Sequence, residues 1–492
     1  MPEQGPTTPG DPRTSQRVVL AVVLLIIAGA VVVVVRTPGR EDGAGAGLPT
    51  STSSATSGQA TGPALQPTDE PEPRVPAGPV LAALDLGTPA TRSGIAAQMQ
   101  PLLASPDLGG QVGATVLDPA TDELLLDLGA AGAHVPASTT KVLTALAALE
   151  TLGPETRFRT TVVQADGRVV LVGGGDPVLS QRVEVTESWV YPITRFDQLA
   201  RATADALLGS GTTSVRLGYA ADLFAGPAVN PAWEPGYVPG GQVAPVSALS
   251  LDGGRTRVGL AQRTDDPAGF AADRFAALLG AYGVRVEGAP TPQPTPRAGP
   301  QTALLASIES PTVAEIVGQT LTRSDNDGAE MLARHVARAE GIEPTFAGGG
   351  LAIVAVLERL GIPTDGLVLA DGSGLSRSNR IAPVTLARAL ETAYEDPDGS
   401  SRSLLAGLPV AGFTGTLTNR FADPQSAREA GDVRAKTGYL SRVVALAGYV
   451  VDADGRLLVF VVLADAVAPV STLDAQRAID QLAARLAACG CS

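Results

Sequence analysis

Three short polar motifs set the main constraint on how this chain can fold: Ser138-Thr139-Thr140-Lys141, Ser324-Asp325-Asn326 and Lys436-Thr437-Gly438. The chain holds 36 lysines plus arginines, yet only Lys141 and Lys436 are lysines, and both fall inside these motifs. Arginine stays protonated and cannot serve as a base. A chain that uses arginine everywhere else, and lysine only here, needs an amine at these two positions.

The first motif supplies a chemistry of its own. A β-hairpin is expected before it, from Val112 to Leu128, turning at Asp118-Pro119-Ala120-Thr121, and a helix after it, from Thr139 to Leu152. Residues three apart on a helix are side-chain neighbours, so Ser138 and Lys141 can meet across one turn. The hydroxyl sits where free helix N–H groups favour developing negative charge. A serine is a poor nucleophile until a neighbour takes its proton. A desolvated lysine with a lowered pKa can do so. Alone, S-x-x-K carries little weight; the other two motifs, in this order, give it weight.

Charge and composition remove other chemistries. The formal net charge of −14 argues against nucleic acid as a partner. The two histidines, His134 and His335, belong to no metal-ligand cluster, and no metal or cofactor is expected. His134 reads as structural and His335 as a partly exposed helix residue. The only cysteines, Cys489 and Cys491, end the chain; a C-x-C disulfide and a free pair both remain open, and neither would staple the fold.

Taken in order, residues 1–17 read as a polar cytoplasmic tail. Val18–Val35 is an unbroken apolar run between Arg17 and Arg36. As a helix it would be about 27 Å long, near the lower limit for a bilayer span. It is read as an uncleaved single-pass anchor in the lipid bilayer. Residues 36–78, rich in Gly, Ser, Thr and Pro, read as a disordered linker. The first part of a catalytic domain is expected at 79–155, with a helix at Arg92–Leu103. A β-rich inserted block follows at 156–303, because one domain does not need so long a connection between Ser138 and Ser324. Gly173-Gly174-Gly175-Asp176-Pro177 within it lacks the lysine and helix of a phosphate loop and reads as a turn. The host resumes at 304–488, with Leu304–Glu309, a helix from Pro311 to Leu321, and a helix from Asp327 to Arg338. A strand-like run from Tyr439 to Tyr449 follows the third motif. A last helix, Thr472–Ala488, is capped by Ser471, and 489–492 is a C-terminal tail. Helices around an antiparallel sheet make an α+β host.

The ordered set S-x-x-K, S-D-N, K-T-G resembles that of penicillin-binding proteins and serine β-lactamases. From about Pro79 onward the chain is similar to the class C low-molecular-mass branch, the D-Ala-D-Ala carboxypeptidases/endopeptidases of peptidase family S13, as found in actinobacteria. Asp371-Gly372-Ser373-Gly374-Leu375-Ser376, Pro245–Leu249 and Gly415-Thr416-Leu417 carry the resemblance further. It implies a transpeptidase-like fold: an antiparallel sheet with flanking helices and inserted modules. It also implies a wall-facing membrane enzyme that cleaves peptidoglycan stem peptides ending in D-Ala-D-Ala and is acylated by β-lactams. Ser138 would be the nucleophile and Lys141 its base. Ser324 would relay a proton to the leaving amine, and Asn326 would hold the substrate amide and position Lys141. Lys436 would present positive charge to the substrate carboxylate. Thr437, Gly438, Tyr439, Asp371 and Ser373 would line the substrate, with the Ser138 and Tyr439 N–H groups as oxyanion hole. Tyr439 departs from the family, which has a small hydroxyl residue there. Two other readings stay open: a β-lactamase or small-ester hydrolase of the same fold, and a non-catalytic peptidoglycan-binding protein.

Overall fold

The computed structural model describes residues 88–182, 191–257 and 259–492. The expected anchor at 18–35, the linker at 36–78 and the expected domain start at Pro79 lie outside the described residues. Among the described residues no helix is long and apolar enough to cross a membrane.

Helix α1 spans Arg92–Leu103, capped by Thr91, whose hydroxyl accepts from the Gly94 N–H. Strands β1 (Val112–Asp118) and β2 (Glu123–Leu128) form the expected hairpin. A 3-10 turn, Ala137–Thr139, leads into α2 (Thr140–Leu152). Then come β3 (Arg157–Ala165), β4 (Arg168–Val172), α3 (Phe196–Gly209), β5 (Leu217–Ala220), α4 (Pro267–Ala281), β6 (Thr291–Pro292) and β7 (Thr302–Thr312). A helical stretch follows: α5 (Val313–Arg323), α6 (Asn326–Ala339), α7 (Phe346–Arg359), α8 (Pro383–Glu395) and the short α9 (Arg402–Gly407). The chain closes with β8 (Val433–Leu440), β9 (Val443–Val451), β10 (Leu457–Ala464) and α10 (Thr472–Ala487).

Among the described residues two five-stranded sheets carry the fold. The first runs β8-β9-β10-β1-β2, antiparallel throughout. Side chains alternate between sheet faces, and β10 shows both faces in use. Leu458, Phe460 and Val462 pack with Ile95 and Met99 of α1 and with Ile479 and Leu482 of α10. Val459, Val461 and Leu463 pack with Leu143 and Leu146 of α2, Val317 of α5 and Leu386 of α8. Each such aliphatic, fully buried, stabilises by about 1.5–3 kcal/mol. The sheet is therefore held between two helical layers, an α+β sandwich.

The second sheet runs β6-β5-β4-β3-β7 and is mixed. β3 pairs antiparallel with β4 and β7; β5 pairs parallel with β4 and β6. Its own core joins Val162, Val169 and Leu171 to Phe196, Leu199 and Leu207 of α3 and Phe275 and Leu279 of α4. The expected β-rich insertion is thus mixed, because two amphipathic helices cover its sheet. Its sheet also ends later than expected. Leu304–Glu309, read as the host resuming, lies in β7 and pairs with β3 as far as Thr312↔Arg157.

Local departures have local causes. Pro311 lies within β7 and does not start a helix; Thr312, the last residue of β7, caps the helix through a capping box with Glu315. The expected Tyr439–Tyr449 strand is two strands, broken at Ser441-Arg442, where Arg442 takes a left-handed φ of 64°. Ser471 makes no side-chain cap bond to α10. His335 is buried, stacked on Phe158, with Nε2 3.0 Å from the Gly175 carbonyl oxygen. Burial pushes its pKa down to about 4. Cys489 and Cys491 are bonded to each other and buried, and the Cys491 carbonyl accepts from the Thr91 N–H at 2.8 Å. The tail beyond α10 is thus docked on the start of α1.

Candidate active site

Ser138 sits in the 3-10 turn where the chain leaves the N-terminal hairpin for α2. Two hydroxyls tighten that turn: Thr139 Oγ1 donates to the Pro136 carbonyl and Thr140 Oγ1 to the Ala137 carbonyl. Ala137 adopts a φ of +49°, an uncommon conformation for a residue with a Cβ. The neighbours that hold it there must come close. A Cβ on Gly374 would lie 1.9 Å from the Ala137 carbonyl oxygen, and one on Gly438 would lie 2.6 Å from that of Pro136. These two glycines let the 371–376 loop and β8 grip the turn from either side. Upstream, Asp465 at the end of β10 accepts from the Val135 N–H (3.0 Å) and faces His134 Nδ1 (3.2 Å).

Lys141, the second residue of α2 and one turn beyond Ser138, is fully buried. Its Nζ donates to Ser138 Oγ (2.9 Å), Asn326 Oδ1 (2.7 Å) and the Ser373 carbonyl (2.6 Å). Burial pulls its pKa down to about 8, while Asp371, Glu330, Asp325 and Asp327 keep it from falling further. A neutral lysine has two N–H donors and one lone pair. With Asn326 and Ser373 taking the two donors, the lone pair is aimed at the Ser138 hydroxyl.

The second motif joins α5 to α6. Ser324 takes a left-handed φ of 55° at the end of α5, and Asp325 caps α6 by accepting from the Asp327 N–H. Past this kink Asn326 meets Lys141 and Ser324 meets Lys436. Asn326 Nδ2 donates to the Gln242 carbonyl (2.8 Å), a contact reaching into the second sheet's module.

Lys436 on β8 is also fully buried, and its Nζ donates to Ser324 Oγ (2.9 Å) and the Thr437 carbonyl (2.8 Å). It reaches across to Ser324 of the second motif. Burial, and then the Lys141 charge, hold its pKa well below the ordinary lysine value. β8 is an edge strand whose Ala435 N–H donates outward to Pro409. In an antiparallel strand this direction alternates. The N–H groups of Thr437 and Tyr439 therefore also leave the sheet edge, and Gly438 packs on the Ser138 turn. Tyr439 is 57% exposed. Thr437 Oγ1 donates to Thr416 Oγ1 at 2.7 Å.

Asp371 and Ser373, expected to touch substrate, are fully buried. Asp371 accepts from Trp233 Nε1, Asn379 Nδ2 and the Gly374 and Ser376 N–H groups, which locks the loop. Ser373 contributes its carbonyl to Lys141. Glu330 of α6, which the sequence did not single out, accepts from the N–H groups of Gly372 (3.2 Å) and Ser373 (2.8 Å). Burial and the nearby Asp371 carboxylate raise its pKa to about 7. The sequence signal was there: an acidic residue four positions after Asn326, on the inner face of α6. Among the described residues no group of three His, Cys, Asp or Glu is placed to hold a metal ion.

The chain matches the family model described as the D-Ala-D-Ala carboxypeptidase 3 (S13) family, over residues 95–265 and 256–486. It is 38% identical over 426 residues to a protein named carboxypeptidase DacB of Mycolicibacterium smegmatis, covering 85% of this chain and 89% of that one. It is 31% identical over 425 residues to a D-alanyl-D-alanine carboxypeptidase of an Actinomadura strain, covering 72% and 78%. The fold is that of penicillin binding protein 4 from Haemophilus influenzae, with a TM-score of 0.63 at 21% identity, over 79% of this chain and 98% of that one.

Proposed function

We propose that this chain, which belongs to the D-Ala-D-Ala carboxypeptidase S13 family and is a serine-type D-Ala-D-Ala carboxypeptidase acting on peptidoglycan, works through an acyl-enzyme on Ser138. The observation that carries this reading is the set of partners around Lys141 Nζ. Neutral Lys141 takes the Ser138 proton as the hydroxyl attacks the carbonyl before the terminal D-alanine. The N–H groups of Ser138 and Tyr439 receive the oxyanion. Ser324, linked to Lys436, passes a proton to the leaving D-alanine amine, and water then releases the acyl group. Lys436 and the Thr437 hydroxyl serve the substrate carboxylate. Asn326 binds the substrate amide. Asp371, Ser373 and Glu330 act as positioning residues. β-Lactams acylate the same serine.

The test is release of D-alanine from a peptide ending in D-Ala-D-Ala. Wild type should release it, and Ser138→Ala, folded by its melting transition, should not. Equal release by both would remove Ser138 from the mechanism. We further propose that residues 18–35 span the membrane once and hold the catalytic domain on the outer side, where peptidoglycan lies. The apolar run and the substrate support this. Protease added to wall-free cells with intact membranes should then release the catalytic domain. Full protection until the membrane is opened would place that domain inside.

A further inference from the structure

The turn at residues 412–418 has no role in the reaction assigned above, yet it ends against the third motif. The chain enters it from the edge of β8, where the Ala435 N–H donates to the Pro409 carbonyl and the Ala411 N–H to the Val433 carbonyl, both at 3.0 Å. The turn then closes on itself, the Gly412 N–H donating to the Leu417 carbonyl at 3.0 Å. Leu417 is fully buried in the layer that α1 and α10 form on the host sheet. Gly415, at φ +56°, comes so close to α5 that a Cβ there would collide with the Thr322 carbonyl. A glycine is needed for both the φ and the approach. The turn is thus pinned between the host core and the end of α5, just before Ser324.

Its three threonines use their hydroxyls differently. Thr414 Oγ1 accepts from the Val410 N–H (2.8 Å), and Thr418 Oγ1 donates to the Gly415 carbonyl (2.9 Å). Both of these hold the turn in shape. Thr416 is exposed and gives its hydroxyl to the third motif instead, 2.7 Å from Thr437 Oγ1. Thr437 is half-buried, and its carbonyl already accepts from Lys436 Nζ. Each hydroxyl carries one proton and can also accept. One of the two protons lies between the oxygens, so the pair has a second one to give.

We propose that Thr416 is a specificity-determining residue: with Thr437 it forms a two-hydroxyl donor for the carboxylate that ends the substrate. The proposal rests on the acyl-enzyme reading above, in which Thr437 serves that carboxylate. Thr437 Oγ1 donates to Thr416 in this structure. A carboxylate that reaches Thr437 reverses the bond: Thr437 donates to the carboxylate, and Thr416 donates to Thr437. Two hydroxyls rotate, and no covalent bond forms or breaks. A hydrogen bond to an ionised acceptor is stronger than a neutral one, and hydroxyls in a chain polarise one another. The contribution of Thr416 therefore depends on the charge at the end of the substrate. An uncharged ester at the same place draws little on it.

The experiment measures acylation of the full chain by a penicillin and by the same penicillin with its carboxylate esterified. Thr416→Val keeps the branched shape and removes the hydroxyl. Its acylation efficiency should fall about five- to twentyfold with the free acid and less than about twofold with the ester, the range of one lost charge-assisted hydrogen bond. Thr416→Ser restores the hydroxyl and should recover most of the loss. Because the hydroxyls act in one chain, Thr416→Val/Thr437→Val should lose no more than Thr437→Val alone. Equal losses with acid and ester, or a serine variant as slow as the valine one, would assign Thr416 to packing and overturn the proposal. No loss with the free acid, or losses that multiply in the double variant, would overturn it too. Thr416→Ala makes the same comparison if the valine variant does not fold. A wild type that neither compound acylates would instead count against the Ser138 reading itself.

Discussion

The two lysines of the site are equally buried and differently surrounded. Lys141, on α2, meets three acceptors and lies within reach of Asp371, Glu330, Asp325 and Asp327. Lys436, on β8, meets two acceptors, has no carboxylate among the groups that shift it, and feels the Lys141 charge. The same burial therefore leaves Lys141 at about 8 and pushes Lys436 well below its ordinary value. The lesson is that carboxylates placed beneath a buried amine decide its proton affinity. Lys141 is tuned to exchange a proton near neutral pH. A substrate carboxylate beside Lys436 would favour its charged form.

The comparison breaks most easily at Lys141. Lys141→Arg keeps a cation and removes the base. Acylation should fall by about 10²- to 10⁴-fold, the range of a lost general base, for charged penicillins and uncharged esters alike. Retained acylation in stopped-flow measurements would mean that another group takes the Ser138 proton.

Lys436→Ala should be smaller and selective. A charge-assisted hydrogen bond contributes about 1.5–3 kcal/mol, so acylation by a carboxylate-bearing penicillin should drop about 10- to 100-fold. An uncharged ester should lose much less. Equal losses would show that Lys436 acts through Ser324 alone and does not serve the substrate carboxylate.

The smallest effect concerns pH. Lys141 must be neutral to act, so acylation by an uncharged ester should rise with pH around a midpoint near 8. Glu330 holds the Lys141 pKa up. Glu330→Gln should therefore move the midpoint to lower pH, by a fraction of a unit to about one unit. A midpoint that stays put would detach Glu330 from the lysine.

The motifs were legible because each carries an unusual residue: two lysines in a chain of arginines, and an S-D-N turn. The helices after the first and second motifs and the last helix were legible as helix-forming runs. What the sequence hid is mostly backbone. The Ser373 carbonyl on Lys141 and the Gln242 carbonyl on Asn326 have no side-chain signature. Asp371 was named a substrate contact on the family resemblance; its four donors fasten the loop. The β8–β9 turn was missed because Arg442 takes a left-handed conformation without a glycine or asparagine to announce it. β7 was placed with the host because its pairing with β3 spans residues far apart in sequence.

The central claim is the bond formed at Ser138. Intact-protein mass spectrometry after brief exposure to a penicillin measures it directly. Wild type should gain the full mass of one penicillin, and peptide mapping should place it on Ser138. Ser138→Ala, with an unchanged melting temperature, should gain nothing. An adduct of the same size on Ser138→Ala, or one mapped to Ser324 in wild type, would contradict the account.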